Sequence, residues 1–147
     1  MILYFRNEHK FLSNFYPTTV MYDGYYYPSS EHAYQAAKSM NLTFRAHLTT
    51  EVPTCQEAKE YGRKLALRPG WDAAKVDIML SIVLDKFTRN PSIRAQLAAT
   101  GTQDLIECNT WGDRFWGCEL TESGKLIGEN HLGQILVNVR RELHCNV

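Results

Sequence analysis

The stretch Ser30-Glu-His-Ala-Tyr-Gln-Ala-Ala-Lys38 sets a carboxylate, a phenol, an amide and an amine close together in the chain. On a helix, Glu31, Gln35 and Lys38 fall within about 60° of one another, with Tyr34 just beside them. Ala33, Ala36, Ala37 and Met40 take the other side. These residues are mostly small and allow close packing, so that side is the expected buried one. The polar stripe then has two readings. It is a solvated face with a weak Glu–Gln–Lys ladder, or it lines a cleft. In a cleft, Glu31 is a candidate general acid or base and Lys38 a candidate nucleophile or anion contact. A lysine nucleophile must be neutral, which needs desolvation or a cationic neighbour. An ionised Glu31 beside it would hold it charged.

Three other groupings carry chemistry. In Tyr61-Gly-Arg-Lys-Leu-Ala-Leu-Arg-Pro-Gly-Trp71, residues Arg63, Lys64 and Arg68, with Lys75 beyond, concentrate positive charge. Arginine suits phosphate through its two-pronged fork, and Trp71 beside a Pro-Gly break can stack on a base. Favourable cations at a helix C-terminus and a core tryptophan explain the same residues without a ligand. Asn109-Thr-Trp-Gly-Asp-Arg-Phe-Trp-Gly117 brackets Asp113 and Arg114 with two Trp-containing turns. A loop so aromatic is costly unless packed or used. Gly128-Glu-Asn-His-Leu-Gly133 is a turn entering a helix, where an anion site and ordinary capping predict the same pattern.

The elements that must position these residues are short strands first and helices after. Thr19–Tyr22, Asp23-Gly24 and Tyr25–Tyr27 predict a hairpin, because Asp-Gly supplies the positive φ angles of a two-residue turn. Ile2–Phe5 and Leu105–Cys108 are further strand candidates. Helices are predicted from a serine cap near Ser30 to about Met40 and from Thr54 to about Arg68, the latter with a Thr54–Glu57 capping box. A third runs from Trp71-Asp72 to Asn90-Pro91, with Val76, Met79, Leu80, Val83, Leu84 and Phe87 as its apolar stripe. Ser92–Thr100 forms a shorter helix ending at Gly101. Asn109–Lys125 reads as loop, and a last helix buries Leu132, Ile135, Leu136, Val139 and Leu143. This is an α+β pattern with a small sheet, not a series of βαβ units.

The chain has 147 residues, with 16 Lys and Arg against 16 Asp and Glu. That length predicts one domain, and 44% hydrophobic against 22% charged residues excludes disordered and fibrous classes. A neutral sum disfavours a stripe that tracks long duplex nucleic acid but leaves room for a small anionic ligand. Cys55, Cys108, Cys118 and Cys145 lack metal-ligand spacing, so reduced thiols in a reducing compartment are expected, with a single disulfide as the other reading. The first residues, Met1-Ile-Leu-Tyr-Phe-Arg6, do not read as a signal peptide, and no apolar run reaches membrane-spanning length. A cytoplasmic location, or a host cytoplasm for a viral protein, follows as an expectation. Nucleotide-binding glycine loops, a serine nucleophile elbow and a zinc deaminase signature are absent.

Taken in order, eight motifs go further. They are Phe11-Leu-Ser-Asn-Phe-Tyr-Pro17, Ser30–Lys38, Ala58-Lys-Glu-Tyr-Gly-Arg63, Leu67-Arg-Pro-Gly-Trp71, Lys86-Phe87 with Asn90-Pro91, Ala99-Thr-Gly101, Asp113 with Phe115-Trp-Gly117, and Asn130-His-Leu-Gly133 with Val139-Arg140. Over roughly Leu3 to Leu143 the chain resembles the NADAR, or YbiA-like, family. The resemblance implies a compact, helix-dominated α+β domain over residues 1–147 with a small antiparallel sheet. It also implies hydrolysis of a ribosyl–nitrogen bond. Two substrates are associated with such proteins: ADP-ribose on guanine bases of nucleic acid, and early riboflavin-pathway ribosylamine phosphates. A non-catalytic module that binds ADP-ribose or NAD is the third expectation. By motif, Glu31 is the expected catalytic carboxylate, Lys38 the residue that engages ribose C1 as a Schiff base, and Asp113 a further catalytic group. Asn14, Tyr34, Gln35, Arg63, Arg68, Trp71, Trp116 and Asn130 are the expected substrate-binding residues. The scheme needs no metal, cofactor or membrane. Ser39 and Met40 depart from the family, which usually has an aromatic residue soon after the lysine.

Overall fold

The computed structural model describes residues 1–144, so Cys145 lies outside the described residues. The chain divides into two units, Asn14–Pro91 and Met1–Ser13 with the residues from Ser92 onward.

In the first unit, Asp23 (φ 47°) and Gly24 (φ 87°) both take left-handed backbone. They form the two-residue turn expected of Asp-Gly. The turn joins β1 (Pro17–Tyr22) to β2 (Tyr25–Ser29), antiparallel with Val20 opposite Tyr27 and Tyr22 opposite Tyr25. Val20 and Tyr27 are buried. Helix α1 (Ser30–Ala37) follows at once, and the Ser29 hydroxyl accepts its His32 N–H at 3.1 Å. Every residue of α1 is buried, because β1, β2 and the helices α2 (Leu42–Thr50), α3 (Cys55–Arg63) and α4 (Trp71–Arg89) all pack against it. The helix ends three residues before the expected Met40. The Lys38 carbonyl accepts from Arg68 N–H at 2.8 Å and the Ser39 carbonyl from Arg45 Nε at 2.8 Å, which turns the chain away.

Helix α2 is absent from the sequence expectation. It buries only Phe44, Arg45 and Leu48, and a buried arginine breaks the apolar period. Asn41 caps it by accepting Phe44 N–H at 3.1 Å. Thr54 caps α3 as expected, accepting Glu57 N–H at 3.1 Å, but α3 stops at Arg63 rather than Arg68. Helix α4 buries Ile78, Met79, Ile82, Val83, Lys86 and Phe87. Its inner face is thus turned from the expected stripe, and Val76, Leu80 and Leu84 are only half-buried.

The second unit contains α5 (Pro91–Ala99), which begins on the last residue of the first unit, then β3 (Glu119–Leu120), β4 (Leu126–Ile127) and α6 (His131–His144). Gly101 follows α5 with a φ of 65°, the helix-ending conformation expected of it. The two expected strands, Ile2–Phe5 and Leu105–Cys108, shrink to single bridges, Ile2 with Leu105 and Cys108 with Cys118. Residues Asn7–Leu12 form a 3-10 turn. Helix α6 buries Leu132, Ile135, Leu136, Val139 and Arg140, with Leu143 half-buried. The fold is α+β, dominated by helices, with two small antiparallel sheets. Among the described residues, no helix is long and apolar enough to cross a membrane. Cys55, Cys108 and Cys118 are free thiols.

Candidate active site

Glu31, Gln35 and Lys38 share one side of α1, as their spacing requires, but this side is not a solvated ladder. Glu31 is 8% and Gln35 2% exposed, while Lys38 is half-buried at the helix end. Gln35 Nε2 donates to Glu31 Oε1 at 2.7 Å. That bond fixes the carboxylate's rotamer and favours its ionised form. Gln35 is held in turn by Gly62 on α3. A Cβ at Gly62 would collide with Gln35 Oε1 and come within 2.9 Å of its Cδ, so this helix contact needs glycine.

The Lys38 amine stands 5.3 Å from the Tyr34 ring centroid, and Trp71 lies against the same ring at 5.4 Å, tilted by 52°. Tyr34 and Trp71 are both buried. Burial lowers the Lys38 pKa from its usual 10.5; Glu31 opposes this, while Lys59, Arg63 and Lys75 push the same way. Desolvation and cationic neighbours, the two conditions for a lysine nucleophile, are both present. The expected tension with Glu31 is real but is outweighed.

Asn14 lies at the other end of the stripe. Its carbonyl accepts Glu31 N–H at 3.0 Å, its Nδ2 reaches Met79 Sδ at 3.5 Å, and its buried Oδ1 has no partner. Gln35 Oε1 and Ser30 Oγ are likewise buried without partners. Below them, His32 Nε2 meets the Val52 carbonyl at 2.7 Å and Nδ1 meets Ser29 Oγ at 2.7 Å. A carbonyl only accepts, so Nε2 carries the proton and Nδ1 accepts from Ser29. Burial lowers the His32 pKa below 6.5, which keeps this strap neutral. Cys55 Sγ donates to Ser29 Oγ at 3.3 Å and to the Phe15 carbonyl at 3.5 Å, and burial pushes its thiol pKa up.

Arg63 is exposed at the end of α3. Arg68 is half-buried and straps the end of α1: besides its backbone bond, Nη1 reaches Tyr22 Oη at 3.4 Å and the Ala37 carbonyl at 3.5 Å. Eight of the eleven expected site residues therefore belong to the unit Asn14–Pro91.

Asp113, Trp116 and Asn130 belong to the other unit. Asp113 Oδ1 accepts the N–H groups of Phe115 (3.1 Å) and Trp116 (2.9 Å), while Asn109 Oδ1 accepts Asp113 N–H at 3.0 Å. This shapes the loop as an Asx turn. Asn130 donates through Nδ2 to the Leu105 carbonyl and accepts Glu107 N–H through Oδ1, at 3.0 and 3.1 Å. Its amide thus ties α6 to the preceding chain. Trp116 is half-buried, edge-on to Phe115 at 4.8 Å.

Sequence reasoning gave no role to Gly62 or Lys59. A glycine inside α3 was the available signal for Gly62, since glycine weakens a helix unless something approaches closely. Among the described residues, no three His, Cys, Asp or Glu side chains are grouped to hold a metal ion.

The helix-dominated α+β fold carries a buried Glu31–Gln35 pair on one helix and a half-buried lysine at that helix's end. The NADAR domain model matches residues 3–144, and the chain belongs to the NADAR family. It is 38% identical over 135 residues to N-glycosidase Npun_R5314 of Nostoc punctiforme, covering 89% of this chain and 83% of that protein. It is 37% identical over 139 residues to the Riboflavin biosynthesis protein VVA0006 of Vibrio vulnificus, covering 92% of this chain. The chain spans only 36% of that protein's length. The NMR structure of the Escherichia coli protein YbiA superposes with a TM-score of 0.80 at 31% identity, covering 99% of this chain and 86% of that one.

Proposed function

We propose that this protein is an N-glycosidase that hydrolyses a ribosyl–nitrogen bond of a phosphate-bearing substrate. One observation carries the reading. Lys38, its proton loosened by burial, stands at the end of the helix whose buried Glu31 is aligned by Gln35. The N-glycosidase name of the Nostoc relative supports the reaction class.

The residues suit the reaction as follows. Cleavage builds positive charge at ribose C1 and leaves a poor leaving group. The neutral Lys38 amine bonds to C1 as the C1–N bond to the base breaks and the base nitrogen takes a proton. Ring opening gives an imine, and water then releases the sugar and returns Lys38 as the free amine. Glu31 takes protons from the attacking amine or water and passes them to the leaving nitrogen. Tyr34 and Trp71 offer aromatic surface beside the amine, and Lys59, Arg63 and Lys75 offer charge for phosphate.

The finer assignment is ADP-ribose removal from guanine in nucleic acid, which rests on the family resemblance. The second reading, cleavage of a riboflavin-pathway ribosylamine phosphate, is favoured by the name of the Vibrio relative. Mass spectrometry of base release, with both substrates in one vessel, separates them. Release of free ADP-ribose, with unmodified guanine left in the nucleic acid, supports the first, and release of the aminouracil supports the second. Glu31→Gln should slow either at least about 100-fold. Tight ADP-ribose binding with no product from either substrate would mean a binding module, and full activity of Glu31→Gln would remove Glu31 from the mechanism.

A further inference from the structure

Lys86 is 1% exposed, inside α4, and no step above uses it. A buried ammonium needs an anion or it loses its proton. The two other buried cations among the described residues are accounted for. Arg45 donates to Asp23 Oδ2 at 2.6 Å and to the Ser39 carbonyl. Arg140 donates to Thr100 Oγ1 at 2.9 Å and the Gln103 carbonyl at 3.0 Å. Within the unit Asn14–Pro91, Asp85 is taken by Arg89 and Met21 N–H, and Asp72 by Lys75. Glu51, Glu57, Glu60 and Asp77 are exposed. Glu31 is the one buried acid among the described residues.

The segment Asn14–Tyr16 meets both Glu31 and Lys86. Glu31 N–H is held by the Asn14 carbonyl, and two residues on, the Tyr16 ring centroid lies 5.8 Å from the Lys86 amine. Asn14 also reaches Met79, two helical turns before Lys86 on the same face of α4. The Cys55 thiol lies close enough to feel both charges, Glu31 raising its pKa and Lys86 lowering it.

We infer that the Lys86 ammonium is the buried counter-charge of Glu31, a positioning residue that keeps the carboxylate ionised from the side opposite the Gln35 bond. This deepens the proposed reaction and rests on it only for its consequence in catalysis. Besides Lys86 on α4, the groups facing the Glu31 charge include Lys38 at the end of α1 and Cys55 on α3, while the neighbouring His32 has its pKa lowered by burial. The hairpin's Tyr27 is held neutral, with its pKa raised to about 12. On α2, Arg45 is engaged with Asp23, and His47 lies against Tyr61.

The test is a carbon-13 NMR titration of the Glu31 carboxyl in the substrate-free protein, for wild type, Lys86→Met and Lys86→Arg, beside the pH profile of kcat/KM. The pair predicts a Glu31 midpoint at least about one unit higher in Lys86→Met, or about 1.4 kcal/mol. Lys86→Arg should restore most of it, and the acid limb of kcat/KM should move by the same amount. An unchanged midpoint in folded Lys86→Met overturns the inference. If Lys86→Met alone does not fold, the Glu31→Gln background decides. Removing the amine there should raise Tm above that of Glu31→Gln, and a fall in Tm overturns the pair. Because the titration needs no turnover, a shifted midpoint in a protein that releases no base would reject the reaction and leave the pair standing.

Discussion

An amine bonds to a sugar carbon only after it has lost its proton, and most lysines keep theirs at neutral pH. At Lys38, burial beside Tyr34 and the nearby Lys59, Arg63 and Lys75 push the pKa down from its usual 10.5, against the opposing pull of Glu31. The sign of the consequence is fixed. A folded pKa below 10.5 means that the unfolded chain binds the extra proton between the lowered value and 10.5, so stability rises with pH across that window. Activity should rise over the same limb, with a midpoint below 10.5. Lys38→Met should abolish turnover and yet raise Tm at neutral pH by about 1–3 °C, the gain being reduced by solvent screening at a half-exposed group. A lower Tm in that variant would show that the lysine is not under strain. The stripe itself was legible from helical spacing. Its burial was not, because neighbours on five other elements bury α1 on all sides and no periodicity within the segment reports them.

At the scale of elements, the site depends on how α1 meets α3. Gly62→Ala should normally steady a helix by about 1 kcal/mol. Here the methyl meets the Gln35 amide, so the gain should vanish and kcat should fall as far as in Gln35→Ala, because both free the Glu31 carboxylate. Steady-state kinetics and a melting curve check both. A stabilised Gly62→Ala with full activity would show that Gln35 does not hold Glu31 in place. The hairpin was readable because Asp-Gly permits the needed φ angles and little else. Helix α2 was not, because Arg45 sits among its buried positions and draws its partners from Asp23 and Ser39.

For the whole molecule, a net charge of zero disfavours a broad phosphate-tracking surface. It does not describe the site. Lys59, Arg63 and Lys75 gather near Lys38, while exposed acids such as Glu57, Glu60 and Asp77 balance the sum elsewhere. KM for a phosphate-bearing substrate should therefore rise with salt along a shallow log–log slope of about 1–3, far below that of a protein gripping many phosphates. A steeper slope would indicate an extended nucleic-acid surface. The family match covers both units, yet the eleven expected residues fall eight to one unit and three to the other. In the second unit, Asp113 and Asn130 spend their hydrogen bonds on local backbone, which motif reading alone could not reveal.

The chemistry assigned to Lys38 leaves a covalent trace. Borohydride added during turnover should reduce the imine and fix the ribosyl group on Lys38, readable as a mass increase on the peptide that carries it and absent from Lys38→Arg. Full turnover with Lys38 unmodified under the same quench would contradict the account.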